Sequence, residues 1–204
     1  MPKPFRILDL PPEIRYKIYI LICTSSLQSI SLSTVSSPFR EPIHPSFPKN
    51  LLLANSQLYQ ELRPLYFTCN QFSLTIRRRN EDWGYFLSSQ FQDNRRQIRS
   101  LRVMIIRWGT KDFFCKTLCP VLEDCVLNGK LRSLDVVVKK GFLKSLGKGE
   151  GFENWKRLST LLRDPYLERV RLWEGRCEDD GDEGLEGLRD VTELLKTCEN
   201  AAYL

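Results

Sequence analysis

The chain has almost no histidine and no long apolar run, and each shortage removes a class of function. Only one histidine, His44, stands among 204 residues, so catalytic triads and most metal chemistry lose their commonest participant. His44 lies between Pro42 and Pro45, where it reads as a solvated loop residue. No uncharged apolar stretch approaches the length of about 18 residues that a membrane span needs. The first residues carry charge and lead into Leu8-Asp-Leu-Pro-Pro-Glu-Ile14 rather than an apolar run with a cleavage site. The expectation is therefore an intracellular protein of the cytoplasm or nucleus with no membrane segment. There is no GxSxG elbow and no HExxH pair. Gly141-Phe-Leu-Lys-Ser-Leu-Gly-Lys-Gly149 has one residue too many for a phosphate loop, and Gly149 replaces the hydroxyl that would hold magnesium. The acidic run 178–183 lacks alternating calcium ligands. These absences point to a non-enzymatic protein without a cofactor.

Cysteine is present but unpatterned. The seven residues, at 23, 69, 115, 119, 125, 177 and 198, are odd in number and scattered, unlike a disulfide framework. Cys115, Cys119 and Cys125 come nearest to a metal pattern but lack a fourth ligand nearby. They read as small hydrophobes of a core helix.

The net charge is +6 and uneven. Residues 76–145 hold 15 Lys and Arg against 7 acids, whereas residues 146–204 hold 9 against 14. In the basic stretch Arg77, Arg78, Arg79, Arg95 and Arg96 are candidates for binding an acidic partner or a nucleic acid, and Arg99, Arg102 and Arg107 extend them. Interleaved Trp83, Tyr85, Phe86 and Trp108 could stack on bases while the arginines meet phosphates. Glu81, Asp82 and Asp93 dilute the patch, and such aromatics are more often core, so nucleic-acid binding is the alternative reading here and not the first.

Two segments near the amino terminus have helical periodicity. In residues 5–22, Pro11 and Pro12 suit a first helical turn, where their missing N–H groups would be unpaired anyway. Glu13 favours the positive end of the helix dipole. Ile14, Ile18, Leu21 and Ile22 recur at helical spacing. A Ser- and Pro-rich stretch, 24–49, reads as an exposed loop with a Ser37-Pro38 phosphoacceptor candidate. A second helix is expected from about Leu51 to Tyr66, ended or kinked near Arg63 by Pro64.

The LDLPPEIRYKIYILI stretch followed by NSQLYQELRPLYF resembles the fungal F-box-like proteins, in which a Leu-Pro-x-Glu-Ile start precedes an Asn-x-Gln-(apolar)-Tyr-x-Glu helix. The resemblance covers about residues 5–74. It implies a helical module over residues 1–70 that docks a Skp-type adaptor of a cullin–RING ubiquitin ligase. By position, Leu10, Pro11, Glu13, Ile14, Ile18 and Tyr19 would lie at or near that docking surface. The long Ser/Pro-rich insert, and Tyr59 where many F-boxes have tryptophan, depart from the family pattern.

Behind this module, residues 71–204 contain three similar segments: Ile98–Val103, Leu131–Val136 and Leu167–Leu172. Each is apolar at positions 1, 4 and 6, the last two alternating as a strand face does. Strand Phe72–Ile76 and helix Asp82–Phe91 read as a degenerate first copy. Helical stretches at Lys111–Leu127, Gly151–Arg163 and from about Gly184 to Cys198 follow the three segments. The expected fold is mixed α/β, with irregular strand–helix repeats that are leucine-rich-repeat-like or else form an open α/β sheet. Such a stack leaves one face free to bind an unknown target. Together these readings predict a protein-interaction adaptor. A second alternative is that the two amino-terminal helices only cap the repeats.

Overall fold

The computed structural model describes residues 6–25, 29–32, 49–77, 84–110, 112–142, 150–175 and 187–197. Arg78, Arg79, Trp83, the Tyr85 side chain, His44, Ser37-Pro38, most of the phosphate-loop-like segment and the acidic run lie outside the described residues. A 3-10 turn, Ile7–Asp9, leads into helix α1, Pro12–Cys23. Helices α2, Lys49–Ala54, and α3, Ser56–Cys69, precede short helices α4, Gly84–Leu87, and α5, Gln92–Arg95. A wide π-helical turn, Phe113–Leu118, runs straight into α6, Cys119–Leu127. Helices α7, Glu150–Leu162, and α8, Leu194–Thr197, complete the helical elements.

The strands are β1, Ile30–Ser31, β2, Gln71–Ile76, β3, Ser100–Ile105, β4, Ser133–Lys139, β5, Arg169–Gly175, and β6, Arg189–Asp190. They form one sheet in sequential order, parallel from β1 to β5, with β6 antiparallel at the edge. The similar segments meet in register: Leu101, Leu134 and Val170 pair across adjacent strands, as do Val103, Val136 and Leu172. Parallel strands need crossover connections, and these are almost always right-handed. When strand order follows chain order, that handedness places every connecting helix on one side. The alternation of the strands agrees: Phe72, Leu74, Leu101, Val103, Leu134, Val136 and Leu172 share a buried core with Phe114, Leu118, Leu122, Trp155 and Leu158 of the helical segments. Met104, Val137 and Trp173, at alternate positions, are not part of that core.

Several elements differ from the sequence reading. The 24–49 stretch is not all loop, because Ile30 and Ser31 pair with Phe72 and Ser73 and Ile30 is buried. The expected helix from Leu51 is broken at Asn55, whose side chain accepts the Gln57 N–H at 2.7 Å and so starts a new helix. Pro64 does not end that helix, which runs on to Cys69. Burial of Leu65, Tyr66 and Phe67 in the last turn outweighs the loss of one backbone donor. The Asp82–Phe91 helix is instead α4 followed by a 3-10 turn, Ser89–Phe91. Near the carboxyl end, β6 and α8 stand where one helix was expected. There Asp190 turns the chain by accepting from the N–H and hydroxyl of Thr192.

Candidate docking surfaces

Among the described residues, helix α1 buries one side and leaves apolar residues exposed on the other. Its inner side is Arg15, Tyr19 and Cys23, all buried. The Arg15 guanidinium donates to Glu61 through Nε at 3.1 Å and Nη2 at 2.8 Å, and through Nη1 to the carbonyls of Leu8 and Leu10. One side chain thereby ties the entry turn, α1 and α3 together. Gln57 Nε2 also donates to Glu61, at 2.9 Å. At the far end of the helix pair, Asn70 donates to the carbonyls of Cys23 and Tyr66 and accepts from Ser25 N–H. Of the family-like motif positions, Glu61 thus joins α3 to α1, while Asn55 caps α3 and Gln57 supports Glu61 within it.

With Arg15 inside, the other side of α1 faces outward. Leu21 is 81% exposed and Ile14 43%, with Tyr16 and Ile22 also exposed and Ile18 half-buried. Ile14, Ile18 and Leu21 recur at i, i+4 and i+7, so they form one stripe. Pro11 and Glu13 are exposed beside it and Leu10 is half-buried. Tyr19 is the exception among the residues expected at this surface. It is 2% exposed, packed inward beside the Arg15–Glu61 pair because it lies four residues from Arg15, and it cannot meet a partner there.

The Arg15–Glu61 geometry also sets a pH dependence. Hydrogen bonds from Arg15 and then Gln57 hold the Glu61 carboxyl below its ordinary value of 4.5, and Arg96 holds Asp124 below its usual range. A depressed folded-state pKa adds stability that is fully present above the unfolded value and lost as pH falls through the folded one. Urea midpoints are therefore expected to be flat above about pH 5.5 and to fall below about pH 4.5. In Glu61→Gln the acid-side slope becomes shallower and the neutral-pH midpoint drops. An unchanged slope would mean the pair is not formed in solution.

Among the described residues, Arg95 and Arg96 of the basic stretch are engaged within the fold, whereas Arg99 and Arg107 are exposed. Arg95 is buried, its Nη1 donating to the carbonyls of Phe86 and Ser88 at 2.8 and 3.0 Å. It holds the turn between α4 and α5 and is not available to a partner. Arg96 is paired with Asp124, at 3.0 and 2.7 Å. Arg77 is half-buried at the end of β2. Phe86 is buried, and Trp108 packs edge-on against Phe114 at 4.7 Å, so neither offers a free ring to a base. An open cleft of about 440 Å³ lies between α3 and the turns that precede β3 and β4, lined by Tyr59, Arg63, Arg96, Gln97 and Lys130 among others.

Cys119 and Cys125 belong to the buried core, and Cys115 packs against it. Burial pushes the Cys119 and Cys125 thiols up to about 12, which disfavours the thiolate a metal would need. Cys115 Sγ donates to Asn154 Oδ1 at 2.9 Å.

Sequence reasoning missed a polar layer on the sheet face that lies away from the helices. Across it, Ser73, Arg102, Asp135 and Arg171 pair in register on β2 to β5, flanked by Gln71, Ser133 and Arg169. Gln71 Nε2 donates to Asp135 Oδ2 at 3.0 Å, and Arg102 Nη2 donates to Gln71 Oε1 at 3.2 Å. The Arg102 and Arg169 guanidinium groups approach the same Asp135 oxygen at 3.6 and 3.8 Å. Alternation within the strands gives the signal: Arg102, Asp135 and Arg171 each sit between two apolar neighbours of their own strand.

Comparison with protein-family models, with curated proteins and with solved structures returns no match. Among the described residues no helix is long and apolar enough to cross a membrane.

Proposed function

We propose that the chain is a non-enzymatic interaction adaptor: the outer stripe of α1 docks a Skp-type adaptor protein, and the helix-free face of the sheet receives a target. The observation that carries this is the stripe of exposed Ile14 and Leu21 with half-buried Ile18 on a helix whose other side is locked by Arg15 and Glu61. An apolar stripe held rigidly in water favours association, because covering it removes apolar surface from solvent at little ordering cost. The resemblance of residues 5–74 to F-box-like proteins names the partner class, and the function would be to bring target and ligase together.

Co-expression with a Skp-type adaptor followed by size-exclusion chromatography tests this. A one-to-one complex is expected for the parent chain, weakened at least about tenfold by Ile14→Asp, since a buried unpaired carboxylate is strongly disfavoured. Circular dichroism of the variant should match the parent, because Ile14 is outside the core. A variant that binds as well as the parent would sink the proposal.

A second reading has its own support. Leu58, Leu62, Leu65, Tyr66 and Phe67 of α3 belong to the same buried cluster as the strands, as they would if the two helices only sealed one end of the sheet. On that reading a chain lacking residues 1–67 is insoluble and no adaptor co-purifies.

A further inference from the structure

The polar layer of the sheet is unbalanced in charge and incompletely bonded, and both features point to one kind of ligand. Asp135 is 3% exposed and Arg102 is 7% exposed. Asp135 Oδ1, Arg102 Nε and Trp173 Nε1 are all buried without a hydrogen-bond partner. Buried polar atoms are nearly always bonded, so three orphans in one layer of adjacent strands are unusual. Two guanidinium groups, Arg102 and Arg169, approach this single carboxylate, and Arg171, its register partner on β5, has Asp190 of β6 as an acidic neighbour. Lys139, exposed at the end of β4, is on the same face by alternation. Arg169 and Arg171 are exposed, and the Arg171 guanidinium lies over the half-buried Trp173 ring at 5.8 Å.

We propose that the β5 strip of this face, built on Arg169, Arg171 and Trp173 over Asp135 and Arg102, binds an extended Asp/Glu-rich segment of a partner protein. This rests on the adaptor reading above and gives the target a chemistry. In an extended chain every second side chain points the same way, which matches the two-residue spacing of Arg169 and Arg171. Guanidinium groups take carboxylates through paired, charge-assisted hydrogen bonds. Drawing Arg169 outward onto a ligand carboxylate releases its approach to Asp135 Oδ2, beside the unbonded Asp135 Oδ1 and Arg102 Nε. A peptide carries an N–H for the first and a C=O for the second. A DNA backbone offers acceptors but no donor for Asp135 Oδ1, so the peptide fits better.

The test is fluorescence anisotropy of a fluorescein-labelled ten-residue oligoglutamate titrated with the full-length chain at low ionic strength. Saturable binding is expected, weakened at least about tenfold in Arg169→Glu/Arg171→Glu and several-fold in Arg171→Gln, which keeps the side chain long and polar. Lys17→Glu/Lys156→Glu reverses as many charges on α1 and α7 and should bind within about twofold of the parent. Absence of binding, equal loss in both double variants, or tighter binding of a labelled ten-nucleotide oligothymidine would each overturn the proposal. The assay contains no adaptor. A failure here with the α1 complex intact therefore counts against the strip alone, and loss of the α1 complex counts against the docking helix alone.

Discussion

Replacing Gly129 with alanine is expected to destabilise the protein by about 3 kcal/mol, at the upper end of what overpacking costs. A Cβ built at this position would stand 2.5 Å from the Cys125 carbonyl oxygen and 2.8 Å from that of Arg96. Both contacts are with backbone, so no side-chain rotation relieves them. The same two carbonyls accept hydrogen bonds from the next residues: Lys130 N–H reaches Arg96 at 2.7 Å and Leu131 N–H reaches Cys125 at 3.2 Å. Pushing the chain away therefore breaks the bonds that lead α6 into β4, beside the turn that leads into β3. In a chain of this length that destabilisation corresponds to a melting temperature about 6–12 °C lower. Differential scanning calorimetry at neutral pH reads it directly, and a shift under about 2 °C would mean that the close approach does not exist in solution.

Phe72→Ala is expected to cost about 3–5 kcal/mol, measured from urea unfolding with an unchanged slope. The Phe72 side chain is fully buried and sits where α3 meets the sheet. Its ring stacks on Phe67 at 5.6 Å and meets Tyr66 edge-on at 5.8 Å, while its backbone pairs with Ile30 on one side and Leu101 on the other. Phe67 in turn packs edge-on against Phe91 at 6.0 Å. Removing the ring leaves a cavity among other rings too rigid to collapse into it. Phe72→Leu, which fills part of the volume, should cost less than half as much. Equal and small losses for both would show that the amino-terminal helices and the sheet do not share a core.

The parts of this fold visible in sequence are those set by local repetition. The apolar pair at the end of each similar segment, such as Leu101 and Val103, reports a period of two, and these pairs stand opposite one another in the sheet. The offset of the strands was less visible. Ile98 and Leu131 look like strand residues, yet they are buried anchors just ahead of β3 and β4. Non-local bonds were not visible at all. Arg15 reads as a solvated residue between isoleucines until Glu61, 46 positions away, accepts its fork. That one pairing decides which side of α1 is buried, and so leaves the more conspicuous isoleucine stripe outside. Arg95 was misleading for the same reason, because its partners are backbone carbonyls that carry no signature in the side-chain sequence. The polar layer around Asp135 was hidden among apolar strand residues, where alternation alone separates the two faces.

On the proposed function the two surfaces would divide the work by chemistry. The α1 stripe is apolar and preformed, suited to a constant partner. The β5 strip is charged and partly unsatisfied, suited to discriminating among targets by their acidity.

Hydroxyl-radical footprinting of the chain alone and with a saturating Skp-type adaptor tests the central claim most directly. Oxidation of Ile14, Tyr16 and Leu21 should fall on complex formation, while Phe152 on α7 and Tyr166 ahead of β5, which are exposed to a similar degree as Ile14 and Tyr16, should react as before. Unchanged oxidation along α1 in the presence of the adaptor would contradict the account.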